Sequence, residues 1–342
     1  MKPLFANFKD KFSKERISLG LDIGTQAVKI VKLRFLKDTV ELYDFYLEPT
    51  QLDLGEILKK VKQSQEVEFV NIGVSGPATV IRYINFPRMN EDEFKKSLRF
   101  EAQKYIPFAT TEVNLDGYIL KEELSGDKML VLIAAVKKEF IGQRIKSIQD
   151  AGLRVNIVDI DSLALVNVFN FNYSQDESQQ KLKAIALLNI GSSMSNLDIL
   201  ENGSPRLSRD IHIAGNNFTQ KLTDTFGIDF KAAEDLKINP DKERSNKVIA
   251  TIELVLTNLV GEIRTSFDFY ESQSTFSVGK IFLSGGGSLS SGLKDALVNL
   301  LGIEVEYWDP LKQISIAGNI DAGALHAVSS QLAVAVGLAL RS

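Results

Sequence analysis

Short apolar stretches separated by turn residues dominate the first part of the chain. Ser18–Ile23 reads as a buried strand, Gly24–Gln26 as a tight turn and Ala27–Phe35 as the returning strand. Thr39–Leu47 is a third strand, Leu54–Gln63 a helix and Val67–Val74 a strand, followed by Thr79–Phe86 with Val80, Arg82 and Ile84 on alternate positions. Strands and helices mixed this early predict an α/β body.

The pattern changes after Pro87. Asn90 can cap a helix with Glu93 reaching back, and Phe94, Leu98, Ala102 and Tyr105 then share one face until Pro107 stops it. Two strands follow, Asn114–Glu122 and Lys128–Val136, joined through Ser125-Gly126-Asp127. Lys138–Gln149 reads as a helix ending at Gly152, and Arg154–Asp159 as a strand. Residues 87–164 thus form an expected inserted subdomain, and the polar run Asn172–Lys183 an exposed linker. The resulting division is a leader over 1–16, a first lobe beginning at 17–86, the insert at 87–164, a connecting segment at 165–183 and a second lobe at 184–342. In the leader Leu4, Phe8 and Phe12 recur every four residues, which leaves two readings: a tail ahead of the first strand, or a short amphipathic helix lying on a membrane or partner.

With 342 residues, the chain exceeds what one hydrophobic core usually organises, in keeping with two lobes. Its 40 basic and 44 acidic residues argue against a broad nucleic-acid surface. Zero cysteines exclude disulfides, thiolate metal sites and cysteine nucleophiles, and two histidines leave little for a histidine metal centre. The longest apolar run, Met129–Val136, falls far short of the ~20 residues that span a bilayer. No signal peptide is visible at the start, so a cytoplasmic location is expected.

An internal echo carries the chemistry. Leu19–Gln26 (Leu-Gly-Leu-Asp-Ile-Gly-Thr-Gln) is matched in the second half by Ala186–Ser193 (Ala-Leu-Leu-Asn-Ile-Gly-Ser-Ser). The second copy continues through Asn196–Glu201, a hairpin turn at Asn202-Gly203 and a return along Ser204–Ile213. A glycine followed by small polar residues exposes successive N–H groups and hydroxyls that suit phosphate, which nominates Gly24, Thr25, Gln26, Gly191, Ser192 and Ser193. Asp22 at the strand end would repel phosphate but can hold the waters of a magnesium ion, and Lys29 can reach back to the same phosphates. A third cluster, Gly285, Gly286, Gly287 and Ser288, follows the strand Lys280–Leu283 and precedes a helix expected from about Ser291. Dinucleotide and Walker A fingerprints are incomplete or absent, and Gly73–Pro77 is not a nucleophile elbow.

Taken together these segments resemble the actin/Hsp70/sugar-kinase ATPase superfamily, a duplicated ribonuclease H-like fold whose two lobes close on ATP or ADP with Mg2+. Asp22–Lys29 is similar to its first phosphate loop, Asn189–Asn196 to the second and Ser284–Leu293 to the adenosine loop. Gly215, Asn216, Glu234 and Lys237 fall where that superfamily approaches the nucleoside. Phe86–Met89, Glu101–Phe108, Ala134–Glu139, Ala151–Asp159 and Ala335–Arg341 narrow the resemblance to the PilM family of type IV pilus assembly. This implies an insert like the 1C subdomain of FtsA, and a C-terminal helix returning to the first lobe. It also implies a nucleotide-binding adaptor beneath the inner membrane, whose partner is the N-terminal tail of a PilN-like membrane protein. Helix Glu91–Tyr105 and its adjacent strands are the expected lining of that groove. Other inner-membrane and motor proteins of the machine, and self-association, are further partner classes. Asn189 stands where the superfamily often has Asp, so nucleotide binding with slow or negligible hydrolysis is expected. The alternatives are a small-molecule kinase, with Asp161, Asp198 and Asp210 as candidate bases, and a filament-forming protein like FtsA.

Overall fold

The computed structural model describes residues 16–50, 53–65, 67–124, 126–174 and 183–341. In the first lobe, β1 (Arg16–Ile23), β2 (Ala27–Phe35) and β3 (Val40–Pro49) form an antiparallel meander. The helix α1 (Leu54–Gln65) carries the chain over to β4 (Phe69–Val74), which lies parallel to β1. Two further strands complete the sheet, β8 (Arg154–Ile160) beside β4 and the short β14 (Ser315–Ile316) on β3.

The second lobe repeats the scheme. Its meander is β9 (Ala184–Ile190), β10 (Ser195–Glu201) and β11 (Ser204–Ile211), with β12 (Lys280–Ser284) and β13 (Glu304–Tyr307) added in parallel. The order β3-β2-β1-β4-β8 in one lobe matches β11-β10-β9-β12-β13 in the other, so the duplication seen at one turn extends through the whole sheet. Asn202 and Gly203 both adopt the positive φ that a tight two-residue hairpin requires.

Strand pairing draws the insert differently from the sequence reading. Its three-stranded sheet has the order β5-β7-β6, built from β5 (Thr79–Pro87), β6 (Val113–Leu124) and β7 (Lys128–Lys137). The strand at 79–87, expected in the first lobe, therefore belongs to the insert, whereas β8, expected in the insert, completes the first-lobe sheet. Hydrophobic period distinguishes strand from helix but carries no information on which neighbour a strand will choose. The capping box at Asn90 forms as expected, yet α2 (Glu91–Ala102) stops before Tyr105. Lys104 and Tyr105 instead donate three residues back, to Glu101 O and Ala102 O, a tightening that ends the helix ahead of Pro107. Helix α3 (Lys138–Asp150) packs on β8 and buries Ile148 in the first lobe, bridging insert and body.

Between the lobes lies α4 (Asp161–Tyr173), buried over most of its length. Asn172, expected to open the exposed linker, is buried there, donating to Val168 O and Pro310 O at 2.8 Å each and accepting from Gln313 N. Most of the expected linker lies outside the described residues. The remaining helices are α5 (Gly215–Phe226), α6 (Phe230–Ile238), α7 (Ser245–Glu271), α8 (Leu293–Leu301), α9 (Ala322–Val328) and α10 (Ala333–Ala339). Buried α10 packs against β1 and α4, as expected for a returning C-terminal helix. The approach is close enough that a Cβ on Gly337 would stand 2.1 Å from Ala164 O, and one on Gly20 2.0 Å from Ala335 O. Val31 and Leu33 of the first lobe, Ile185 and Leu187 of the second, and both of these helices share one core. The interlobe cleft therefore sits above a packed hinge.

Candidate functional site

The two echoed turns face each other across the lobes and take the same shape. Gly24 N–H donates to Ala27 O at 3.1 Å, and Gly191 N–H to Met194 O at 3.0 Å. A Cβ on either glycine would come within 2.9 Å or 2.7 Å of that same carbonyl, which explains why both turns need glycine. The loop tips touch: Thr25 Oγ1 and Ser193 Oγ are 2.7 Å apart, and Gln26 Nε2 donates to Asn216 Oδ1 at 2.9 Å. Beside them is a cavity of about 380 Å3. Asp22, Gly24, Thr25 and Lys29 line one wall, and Asn189, Gly191, Ser192 and Ser193 the other.

The floor of this cleft is charged. Lys29 Nζ donates to Asp22 Oδ2 at 3.1 Å, so the cation expected to reach for phosphate rests on the neighbouring carboxylate. Facing Asp22 is Asp161, the first residue of α4, whose carboxyl is pushed up to about 7 by burial and then by the Asp22 charge. Two carboxylates opposed in this way suit a divalent cation, whose charge would relieve their repulsion. Among the described residues no group of three or more carboxylates and histidines is arranged to ligate a metal directly. An ion such as Mg2+ that keeps most of its waters would fit here, and Asp22 would hold it through that shell.

The remaining expected residues form an adjoining second cluster outside the cavity. Gly215 N–H donates to Gly191 O at 3.0 Å, setting the start of α5 against the second echoed turn. Lys237 of α6 is buried and points inward, donating to Glu234 Oε1 at 2.6 Å, Thr219 Oγ1 at 2.8 Å and Gly215 O at 3.4 Å. Burial lowers its pKa, and the Glu234 partner offsets part of that. Gly285 has φ 89°, and its missing Cβ would lie 2.3 Å from Ile190 O; at Gly287 it would lie 2.6 Å from Ile190 Cγ2. Gly286 faces the Gln331 side chain. The glycine cluster makes a short 3-10 turn over Gly286–Leu289, and α8 begins only at Leu293, so the cluster is not itself the N-terminus of an α-helix. Ser288 is fully buried with its hydroxyl on Gly285 O at 2.6 Å, directed at its own turn.

Asn189 is held by one amide and one hydroxyl. Its Nδ2 donates to Asn196 Oδ1 at 3.2 Å and its Oδ1 accepts from Ser284 Oγ at 3.3 Å. Asn196 in turn donates to Asp210 Oδ1 at 2.7 Å, and Asp210 Oδ2 accepts from Gly76 N–H at 3.0 Å, linking the second lobe to the β4–β5 turn of the first. Of the three aspartates considered as kinase bases, Asp198 is fully buried and Asp210 is committed to these bonds, which leaves Asp161 facing the cleft.

Sequence reasoning named Asp161 only as one of three candidate kinase bases and did not nominate Arg144 or the Ser75–Pro77 turn, although all line this cavity. Asp161 had a usable signal, since it follows directly on the apolar end of a strand, much as Asp22 lies at the end of β1. Arg144 had none, because only the packing of α3 brings it there.

A second cavity, about 500 Å3, lies between the insert and the first lobe. Its apolar lining includes Val74, Ala134, Ile141, Ile145, Ile160 and Leu163. Strands β6 and β7 contribute to it as expected, but α2 packs on the far face of the sheet, through Phe94 and Leu98, and lines a separate hollow. Cleft and groove share one wall. Val74 faces the groove and Ser75 the cleft, as do Ile160 and Asp161, while Ile141 and Ile145 flank Arg144 on α3.

Comparison with known proteins agrees with this geometry. The cell division protein FtsA of Buchnera aphidicola subsp. Baizongia pistaciae (strain Bp) is 24% identical over 287 residues, 72% of this chain and 66% of that protein, so the chain spans just under two thirds of its length. A solved structure titled as a PilM–PilN type IV pilus biogenesis complex contains a chain with a TM-score of 0.82 and 27% identity, covering 95% of this chain and 98% of that one. The ethanolamine utilization protein EutJ from Carboxydothermus hydrogenoformans shares the fold, with a TM-score of 0.56 at 12% identity over 97% of this chain and 92% of that one. A family model described as type IV pilus assembly protein PilM matches residues 20–342, and with the duplicated actin-like lobes around the cleft, the chain belongs to the PilM family.

Proposed function

We propose that this chain is a nucleotide-responsive adaptor. ATP or ADP would enter the interlobe cleft, and the cytoplasmic tail of a PilN-like membrane protein would enter the groove beneath the insert. The observation that carries the reading is the shared wall: three elements each present adjacent residues to both cavities, so occupancy of one changes the shape offered to the other. The phosphate end is formed by Thr25, Ser192 and Ser193, with Lys29 beside Asp22 and the magnesium shell. The nucleoside would lie toward Gly215, Glu234, Lys237 and the Gly285–Gly287 turn. Asn189 has no charge and no basic site to aim at water, which supports binding with little hydrolysis.

The groove also constrains the tail. Its floor is apolar, its polar lining includes Asp116 as well as Asp159, which is already paired with Arg341, and among the described residues no lysine or arginine lines it, which favours an extended apolar segment with a cation near Asp116. A tail of that kind would place the chain against the inner face of the membrane through its partner. Among the described residues no single helix is long and apolar enough to cross a membrane.

Calorimetric titration with the tail peptide of the PilN-like protein from the same genome, with and without Mg-ATP, tests the proposal. Saturable one-to-one binding whose affinity shifts with nucleotide is expected. Failure of the peptide to bind in either state would overturn the adaptor reading.

A further inference from the structure

Arg144 is the one guanidinium lining the cleft, and among the described residues it has no hydrogen-bonding or ion-pair partner. The Phe140 ring lies 5.5 Å from the guanidinium carbon, which positions the stem without neutralising the charge. Burial lowers its pKa, while Asp161 and Asp22 favour the charged form from a distance. Lys29, by contrast, already has its counterion at 3.1 Å. A half-buried arginine without a counterion is costly, and a multivalent anion at the fork would remove that cost.

Its position says which part of an anion it would meet. Arg144 shares the cavity with Asp22, Asp161 and the Ser75–Pro77 turn, whereas Lys237, Gly215 and the Gly285–Gly287 turn lie in the adjoining cluster outside it. A nucleotide whose base lies at that cluster would direct its outermost phosphate toward Arg144. The same helix, α3, presents Ile141 and Ile145 to the groove, one on either side of Arg144 in the sequence. We propose that Arg144 is the terminal-phosphate sensor of this chain: it binds the outermost phosphate of a nucleoside triphosphate, distinguishes triphosphate from diphosphate, and through α3 reports that difference to the groove.

This rests on the cleft holding a nucleotide, so the wild-type titration comes first. Full-length protein is titrated with Mg-ATP and Mg-ADP, then R144Q and R144K, with thermal melts to confirm folding. R144Q is expected to weaken ATP binding by about ten-fold or more while ADP changes by less than about two-fold, as for loss of one charge-assisted phosphate contact. R144K, which keeps the charge but not the fork, should fall between. Tail-peptide affinity without nucleotide should be unchanged in R144Q, and its shift with ATP should be lost. Equal weakening of ATP and ADP, or no change in either, would overturn the sensor while leaving the cleft reading intact. A wild-type chain that binds neither nucleotide would overturn both. If R144Q does not fold, R144K carries the same comparison.

Discussion

Asp198 offers the sharpest energetic test of the packing between the insert and the second lobe. It is fully buried on β10, with Ser208 Oγ donating to its Oδ1 at 2.5 Å. Tyr83 of the insert lies 2.9 Å from Ser208, so the cluster spans insert and second lobe. Burial pushes the Asp198 carboxyl up to about 8; the Ser208 bond offsets part of this and the Asp210 charge adds to it. The unfolded chain titrates near the ordinary aspartate value, so between about pH 4 and pH 8 the folded state keeps a proton that the unfolded state has released. Stability then falls with rising pH across that window and levels off above it. At about 1.4 kcal/mol per pH unit the loss approaches about 5 kcal/mol by pH 9, of which roughly 1.5 kcal/mol is already present at pH 5. Asp198→Asn keeps the shape and the acceptor for Ser208 but cannot ionise. Relative to wild type it should gain about 3–4 kcal/mol more at pH 9 than at pH 5. With a melting entropy near 2.1 cal/mol/K per residue, that is a difference of roughly 5 °C in relative Tm. Thermal melts followed by circular dichroism at the two pH values measure it. A variant whose Tm, relative to wild type, is no higher at pH 9 than at pH 5 would refute the assignment of a neutral buried carboxyl.

Three further outcomes follow from the geometry. Gly287→Ala places a methyl 2.6 Å from Ile190 Cγ2 and 2.7 Å from Gly191 O, and should cost about 2 kcal/mol in a melt while weakening nucleotide binding in the same preparation. Asn189→Asp turns a carboxylate toward Asn196 Oδ1 and should lower stability by about 1–2 kcal/mol unless Asn196 inverts; phosphate-release assays should show that wild-type turnover of Mg-ATP is negligible. Ile145→Glu puts a charge into the apolar groove from a half-buried position, and should abolish tail-peptide binding in calorimetry while the Tm stays close to that of wild type.

Much of this protein was legible from local pattern. The echo of Leu19–Gln26 in Ala186–Ser193 located both matching glycine turns, because a glycine that must clear a carbonyl three residues on leaves the same signature wherever the turn occurs. The Asn90 cap and the Asn202-Gly203 hairpin were readable for the same reason: each depends on residues close together in sequence. What needed the tertiary structure was partnership between distant segments. The strand at 79–87 could pair with β4 or β7, and only the assembled sheets show that it left the first lobe for the insert. Asn172 looked like linker until Pro310 and Gln313 were brought against it. Arg144 and Asp161 became part of one cleft, and Ile145 and Ile160 of the groove behind it, because α3 and β8 stand side by side. Hydrophobic period and turn chemistry fix what each segment is, but the neighbour it buries against is chosen by the long-range packing of the whole chain, and that choice made the shared wall.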